Sequence, residues 1–294
     1  MGYRSVARAY AEAAAELTAR DLTEHYTSGL DFFHGEFVPE LKSRLSWLTG
    51  GEWSPADLED FVAFAAGTDV DLMTHLVEAV AAREPVHLFP EDWYGFSAGC
   101  SHPDNFVRQI DATGRLACLC VPSVRNGHFT DEMLQFLDSA AACLLNLNLY
   151  PTLAGPERTG VAASLRPVLE KSILSISFSR GFGMTASQLG VFLVHREHPF
   201  VRRFGEQWTW FTYFFNALAV QTFQRLDLAA LQLVDDVRRD WVARWLSTHG
   251  LPCISTGSYY VKSFTVNGSV PDTLQPLTRD GLVRLCFKPP PTDA

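Results

Sequence analysis

Lysine is scarce in this 294-residue chain: of 24 basic residues only Lys42, Lys171, Lys262 and Lys288 are lysine, and the rest are arginine. Any chemistry that begins with a lysine amine must choose among those four, because a guanidinium keeps its proton and offers no free amine. Cysteine is equally thin. Cys100, Cys118, Cys120, Cys143, Cys253 and Cys286 are scattered without a CxxC pair, which argues against a zinc site or disulfide framework and for buried, reduced thiols. Excess positive charge is missing too: the formal net charge of -9 gives no basic footprint for nucleic acid or an anionic membrane, and suits a small uncharged or positively charged partner better. Long apolar runs are absent. The most hydrophobic helical stretch, "WFTYFFNALAVQTF" from Trp210, contains Thr212, Asn216 and Gln221 and falls short of the roughly 20 apolar residues that span a bilayer. The amino-terminal "MGYRSVARAYAEAAAELTARDL" reads as an amphipathic helix without the apolar core of a signal peptide, so a cytoplasmic protein is expected. There is no internal repeat, low-complexity tract or long polar linker.

What is present is enough apolar material for a large core, 47% hydrophobic against 19% charged. From Phe61 a short apolar run, "FVAFAAG", ends in glycine and leads to "TDVDLMTHLVEAVAA", in which Thr68 and Asp71 are spaced as a capping box before a helix. The strand "VHLF", the aromatic turn "DWYGF", a short strand "NFVRQI", the strand "LACLCV", the helix "DEMLQFLDSAA", the strand "CLLNLNLY" and the helix "GVAASLRPVLE" follow. Strands alternating with helices predict an α/β fold with a mostly parallel sheet. The runs "SILSISF" and "LGVFLVH" flank a small-residue loop and predict one antiparallel pair. From His198 the pattern changes to long helices, the second carrying Leu231, Val234, Val237, Trp241 and Trp245 at helical spacing. After it, "CISTGSYYVKSFTV" and "GLVRLCF" predict strands of a small carboxyl-terminal unit. The expected organisation is a helical arm over 1–53, a large α/β domain over 54–225, and a small α+β domain with its connecting helix over 226–294.

The loop "SFSRGFG", residues 177 to 183, together with "SISFSRGFGMTASQLGVFLVHREHP" and the terminal "DGLVRLCF", resembles the fold type I pyridoxal phosphate enzymes, specifically class I/II aminotransferases. The resemblance spans Phe61 to Phe287, with its sharpest stretch around the quoted loop. It implies an aminotransferase-like large domain and a dimer with sites at the interface. It also implies a glycine turn for the phosphate, an aromatic residue on the ring, an aspartate at the pyridine nitrogen, a Schiff-base lysine and a carboxylate-binding arginine, because an amine makes the imine and the aspartate keeps the ring an electron sink.

Carried over residue by residue, the resemblance assigns Gly67 and Thr68 to the phosphate turn, where helix N–H groups attract anions, although Asp69 and Asp71 bring negative charge there. Tyr94 falls at the stacking aromatic, beside Trp93. Tyr150, a catalytic candidate, is the tyrosine that follows the usual aspartate, whose own place falls on Leu147, flanked by Asn146 and Asn148; Asn148 is a cofactor-binding candidate. Ser177 and Ser179, in the loop itself, are cofactor-binding candidates, Gln188 stands where a phosphate-binding arginine is usual, and Arg284 matches the carboxylate arginine or is an ordinary strand arginine. Arg180 takes the lysine's place, either as an anchor for a phosphate, carboxylate or carbonyl group or as a structural donor to loop carbonyls.

Pyridoxal phosphate is accordingly expected either not covalently bound or not bound at all. His195 and His198 in "HREH" have no acidic or cysteine ligands nearby and read as structural, so no metal is expected. The expected function is action on a small amino acid or amine in a biosynthetic pathway, with classical transamination in doubt. The alternative is a catalytically silent subunit, or a ligand-binding protein, that supports an intact paralogue. A homodimer or a heterodimer with such a paralogue is expected, the aromatic segment from Trp208 to Phe215 being the candidate contact.

Overall fold

Six consecutive apolar residues make β1, Phe61–Ala66, in the computed structural model of the chain, which describes residues 3–17, 32–66, 68–90, 92–184, 189–204, 213–266, 270–279 and 281–288. The remaining strands of the main sheet are β2 (Val86–Leu88), β3 (Phe106–Arg108), β4 (Leu116–Cys120), β5 (Ala142–Asn146), β6 (Ser172–Ser177) and β7 (Gly190–His195). They lie in the order β1-β7-β6-β5-β4-β2-β3. β2, β3, β4, β5 and β6 pair in parallel. β7 runs against both β6 and β1, with Ser177 opposite Gly190 and Phe61 opposite His195. The antiparallel pair expected around the quoted loop is present, and the α/β class with it.

Every residue of β4 and β6 is buried, as parallel strands covered on both faces require. Alternation assigns the faces. Leu119, Leu145 and Leu174 face a core shared with Phe33, Phe37, Leu41 and Leu45, from a π-helical turn (Phe33–Phe37) and α2 (Val38–Leu48). Cys118, Leu144 and Ile173 face α3 (Asp69–Ala81) through Leu72, Met73, Leu76 and Val77. The first helix, α1 (Arg4–Glu16), joins the first core through Tyr3, Val6 and Ala9.

The second connecting helices are α4 (Asp131–Ser139) and α5 (Gly155–Leu165). α5 starts earlier than the apolar pattern suggests, because Pro156 suits the first helical turn, and it stops before Pro167. After β7 come α6 (Pro199–Phe204), α7 (Tyr213–Gln224) and the long α8 (Leu228–Thr248). Trp208 to Trp210 and the rest of 205–212 lie outside the described residues.

α8 bridges two cores: Leu231 and Val234 join the first, while Val242 and Leu246 pack with Tyr259, Phe264, Val283 and Phe287. Its buried face differs from the apolar stripe in the sequence. Val237 is exposed, and Asp235 and Arg238 are buried instead. Asp235 accepts hydrogen bonds from Tyr3 Oη at 2.6 Å and Tyr259 Oη at 2.7 Å, and Arg238 lies over the Tyr3 ring. A polar cluster, with Arg238 3.7 Å from Asp235, thus replaces an apolar contact.

The second sheet, in the order β8-β10-β9, is formed by β8 (Val261–Phe264), β9 (Thr278–Arg279) and β10 (Leu282–Cys286), all antiparallel. "CISTGSYY" contributes no strand, since Gly257 turns the backbone at φ 77° before β8 begins. Among the described residues no helix is long and apolar enough to cross a membrane.

Candidate functional site

β1, β2, β4, β5 and β6 all point one way, so their carboxyl ends share one edge of the sheet, the usual location of ligand sites in open α/β folds. Thr68 follows β1, Asp92 to Tyr94 follow β2, Ser123 to Arg125 follow β4, Asn148 follows β5, and Ser179 and Arg180 follow β6. A cleft of about 300 Å³ opens there, lined by Asp92, Trp93, Tyr94, Val124 and Arg125 from the main sheet and by Pro276, Leu277 and Arg284 from the second.

Two of the sequence-assigned residues meet in this cleft. Tyr94 is 64% exposed, in a 3₁₀ turn (Tyr94–Phe96) against which Trp93 folds edge-on to Phe96. Arg284, on β10, donates Nε–H to the Val124 carbonyl at 2.8 Å. That bond joins the two sheets and orients the guanidinium, with Nη1 and Nη2 making no further hydrogen bond among the described residues.

Arg180 is exposed at the end of β6, and its guanidinium lies 5.5 Å from the centre of the Tyr260 ring, just before β8, a cation–π contact between the two sheet units. Strand alternation continues into the loop. Phe178 turns into an aromatic core with Phe37, Phe182 and Phe223, while Ser177 and Ser179 turn away from it and bond to each other, Oγ to Oγ, at 2.8 Å. Gly183 has φ 71°, and a Cβ there would strike the Tyr3 ring, so the bend needs glycine on both counts.

Thr68 caps α3 in the expected reciprocal box. Its Oγ1 accepts from Asp71 N–H at 3.2 Å, and the Asp71 carboxylate accepts from Thr68 N–H at 3.0 Å and Thr68 Oγ1–H at 2.9 Å. The helix start therefore already holds a carboxylate. Asn148 is half-buried with an unpartnered Oδ1, while Asn146 Oδ1 accepts from Asn148 N–H. Gly67 and Gln188 lie outside the described residues.

Tyr150 is not brought to the cleft. It is 1% exposed, stacks on Trp53, and donates its hydroxyl to the Arg158 carbonyl at 2.7 Å; burial pushes its phenol well up. The turn after β5 directs it into the core, so its hydroxyl is spent there.

Sequence reasoning missed Asp92 and Arg125. Asp92 is 7% exposed and accepts from Cys120 N–H at 2.7 Å and from Ser123 Oγ–H at 3.0 Å. Burial pushes its carboxyl up to about 6, against those stabilising bonds. The one available signal was an acidic residue wedged between an apolar strand and the aromatic turn. Arg125 donates N–H to Ser123 Oγ and accepts from Ser263 Oγ at its carbonyl, 2.6 Å, a second tie between the sheets.

No protein-family profile matches the chain and no curated protein matches it in sequence. Solved structures do match in shape. The aspartate aminotransferase of Thermotoga maritima superposes with a TM-score of 0.61 at 13% identity, covering 92% of this chain and 84% of that one. YbdL of Escherichia coli, for which a methionine aminotransferase function is described, gives a TM-score of 0.62 at 14% identity, with 95% and 86% covered. The histidinol-phosphate aminotransferase of Sinorhizobium meliloti, solved with pyridoxal 5'-phosphate, gives 0.56 at 17% identity, with 88% and 71% covered. The chain has the fold of the fold type I aminotransferases.

Measured against pyridoxal phosphate, the described residues supply an aromatic wall and an oriented guanidinium, but no amine at the strand ends. Lys42 Nζ donates to the Glu59 carbonyl. Lys171 Nζ donates to the Asp138 and Ala140 carbonyls at the opposite, amino end of β6. Lys262, whose ammonium burial pushes down to about 8, donates to the Thr256 carbonyl, and Lys288 is exposed beyond β10. With Asp71 at the helix start as well, the set does not fit a covalently held cofactor.

Proposed function

We propose that this chain acts on a small amino acid or amine in the cleft at the carboxyl edge of its main sheet, in a biosynthetic pathway, and not by ordinary transamination. One observation carries the reading: the loop after β6 presents Arg180, and each of the four lysines is engaged or exposed elsewhere. A guanidinium stays protonated and offers no free amine. On this reading pyridoxal phosphate has no covalent seat on the chain. What remains suits recognition of a small molecule: an exposed tyrosine ring, an arginine whose Nη1 and Nη2 make no hydrogen bond among the described residues, and a cleft of about 300 Å³ between two sheets, a size at the small end of ligand pockets.

The test is spectroscopic. Purified protein mixed with pyridoxal phosphate is expected to show only the spectrum of the free compound, and borohydride followed by peptide mass analysis should leave every lysine unmodified. Arg180→Lys alone should yield weak uptake at best, because the Asp71 carboxylate still occupies the helix start. A stable reduced adduct on any lysine of the unmodified protein overturns the reading.

A further inference from the structure

Asp92 is a buried aspartate among the residues that line the cleft. Among the described residues no lysine, arginine or histidine pairs with it, and Arg108, acting through space, is the weakest influence on its ionisation. Cys120 N–H and Ser123 Oγ–H fix the carboxylate in position, one on each oxygen, which leaves acceptor capacity on a group with about four lone-pair directions. A buried charge is costly unless a counter-charge reaches it. The same cleft carries two arginines, Arg125 on the Asp92 side and Arg284 on the other wall, where among the described residues Nη1 and Nη2 of Arg284 make no hydrogen bond while its Nε is tied to Val124. Trp93, Tyr94 and Leu277 provide the apolar surface in between. No group of three or more His, Cys, Asp or Glu suited to a metal occurs among the described residues, so the charge pattern matches an organic cation better than a metal ion.

We propose that Asp92 receives the protonated amino group of the ligand, so that an amino acid is held non-covalently as its zwitterion, ammonium toward Asp92 and carboxylate toward Arg284. The assignment rests on the reading of this cleft as an amino-acid or amine site, and it names the contact that replaces the imine. Asp92 is a binding residue here, with Ser123 and Cys120 N–H as its positioning partners. Its selectivity follows from charge: removing the ligand's ammonium leaves the carboxylate buried and unpaired, whereas removing the ligand's carboxylate leaves the contact to Asp92 intact.

The experiment is a thermal-shift and calorimetric panel on the full chain. Each proteinogenic L-amino acid is compared with its decarboxylated amine and its deaminated acid. The best amino acid is expected to bind about tenfold to a hundredfold more tightly than its deaminated acid. In Asp92→Asn that preference should collapse, and in Ser123→Ala, which keeps the charge, it should largely persist. If Asp92→Asn does not fold, the wild-type comparison decides alone. A deaminated acid that binds as tightly as its amino acid overturns the assignment and leaves the cleft reading standing, and so does an amine preference undiminished in Asp92→Asn. Failure of every amino acid and every amine to bind overturns both.

Discussion

Two buried carboxylates set the acid–base behaviour of single residues in this protein. Burial raises Asp92 and Asp235 to about 6 each, above the 3.8 of an exposed aspartate, so the folded chain holds protons that the unfolded chain has released over that interval. The stability tied to them is fully present below the unfolded value and is lost as pH rises through about 6. It amounts to at most about 3 kcal/mol per group. Thermal midpoints should therefore fall between about pH 4 and pH 6 and level off above it, and the slope should flatten in Asp92→Asn. Asp57 and Asp111, held down by their own hydrogen bonds, act below that window with the opposite sign. A midpoint that rises across the interval would show that Asp92 is ionised in the fold without penalty.

Local geometry makes sharp demands at the element scale. The Thr68–Asp71 box supplies partners to two otherwise unpaired N–H groups of α3, and Thr68→Ala is expected to cost about 1 kcal/mol in chemical denaturation. Gly183→Ala should cost more, about 1–3 kcal/mol, because it adds a Cβ at φ 71° against the Tyr3 ring. Equal losses for the two variants would mean that the loop yields freely and that Tyr3 does not pin it. The "SFSRGFG" loop is thus tied to α1 on one side and, through Arg180 and Tyr260, to the second sheet on the other.

Polar links join the second sheet and the turn before it to the rest of the molecule. Tyr3, Asp235 and Tyr259 connect the amino terminus, α8 and the turn before β8, and the Arg284–Val124 and Ser263–Arg125 bonds close the cleft. Tyr3→Phe removes one donor from a buried carboxylate and should destabilise by about 1.5–3 kcal/mol, with faster proteolysis within residues 3–17. Unchanged proteolysis at equal global stability would show that α1 is held by apolar packing alone. On the resemblance to aminotransferases we also propose a dimer, so light scattering is expected to report twice the chain mass of 32.7 kDa; a monomer at micromolar concentration counts against it.

The sequence by itself determined the strands of the main sheet, the capped helix α3, the antiparallel pair and the place of Arg180 just after a strand, because two-residue and 3.6-residue periodicities and caps are local properties. It also brought out Tyr94 and Arg284, which meet in the cleft. Only the tertiary structure decided which polar groups are buried and for what purpose. Tyr150 fits the same sequence resemblance as Tyr94 yet packs on Trp53 in the core. Val237 fits an apolar stripe yet is exposed, while Asp235 takes a place inside. Asp92 looks like any acidic turn residue until β2 and β4 come side by side and bring it the N–H of a residue 28 positions away and the hydroxyl of one 31 positions away. Those distant partners hold its carboxylate in the buried wall of the cleft, and no periodicity within a strand or turn records them.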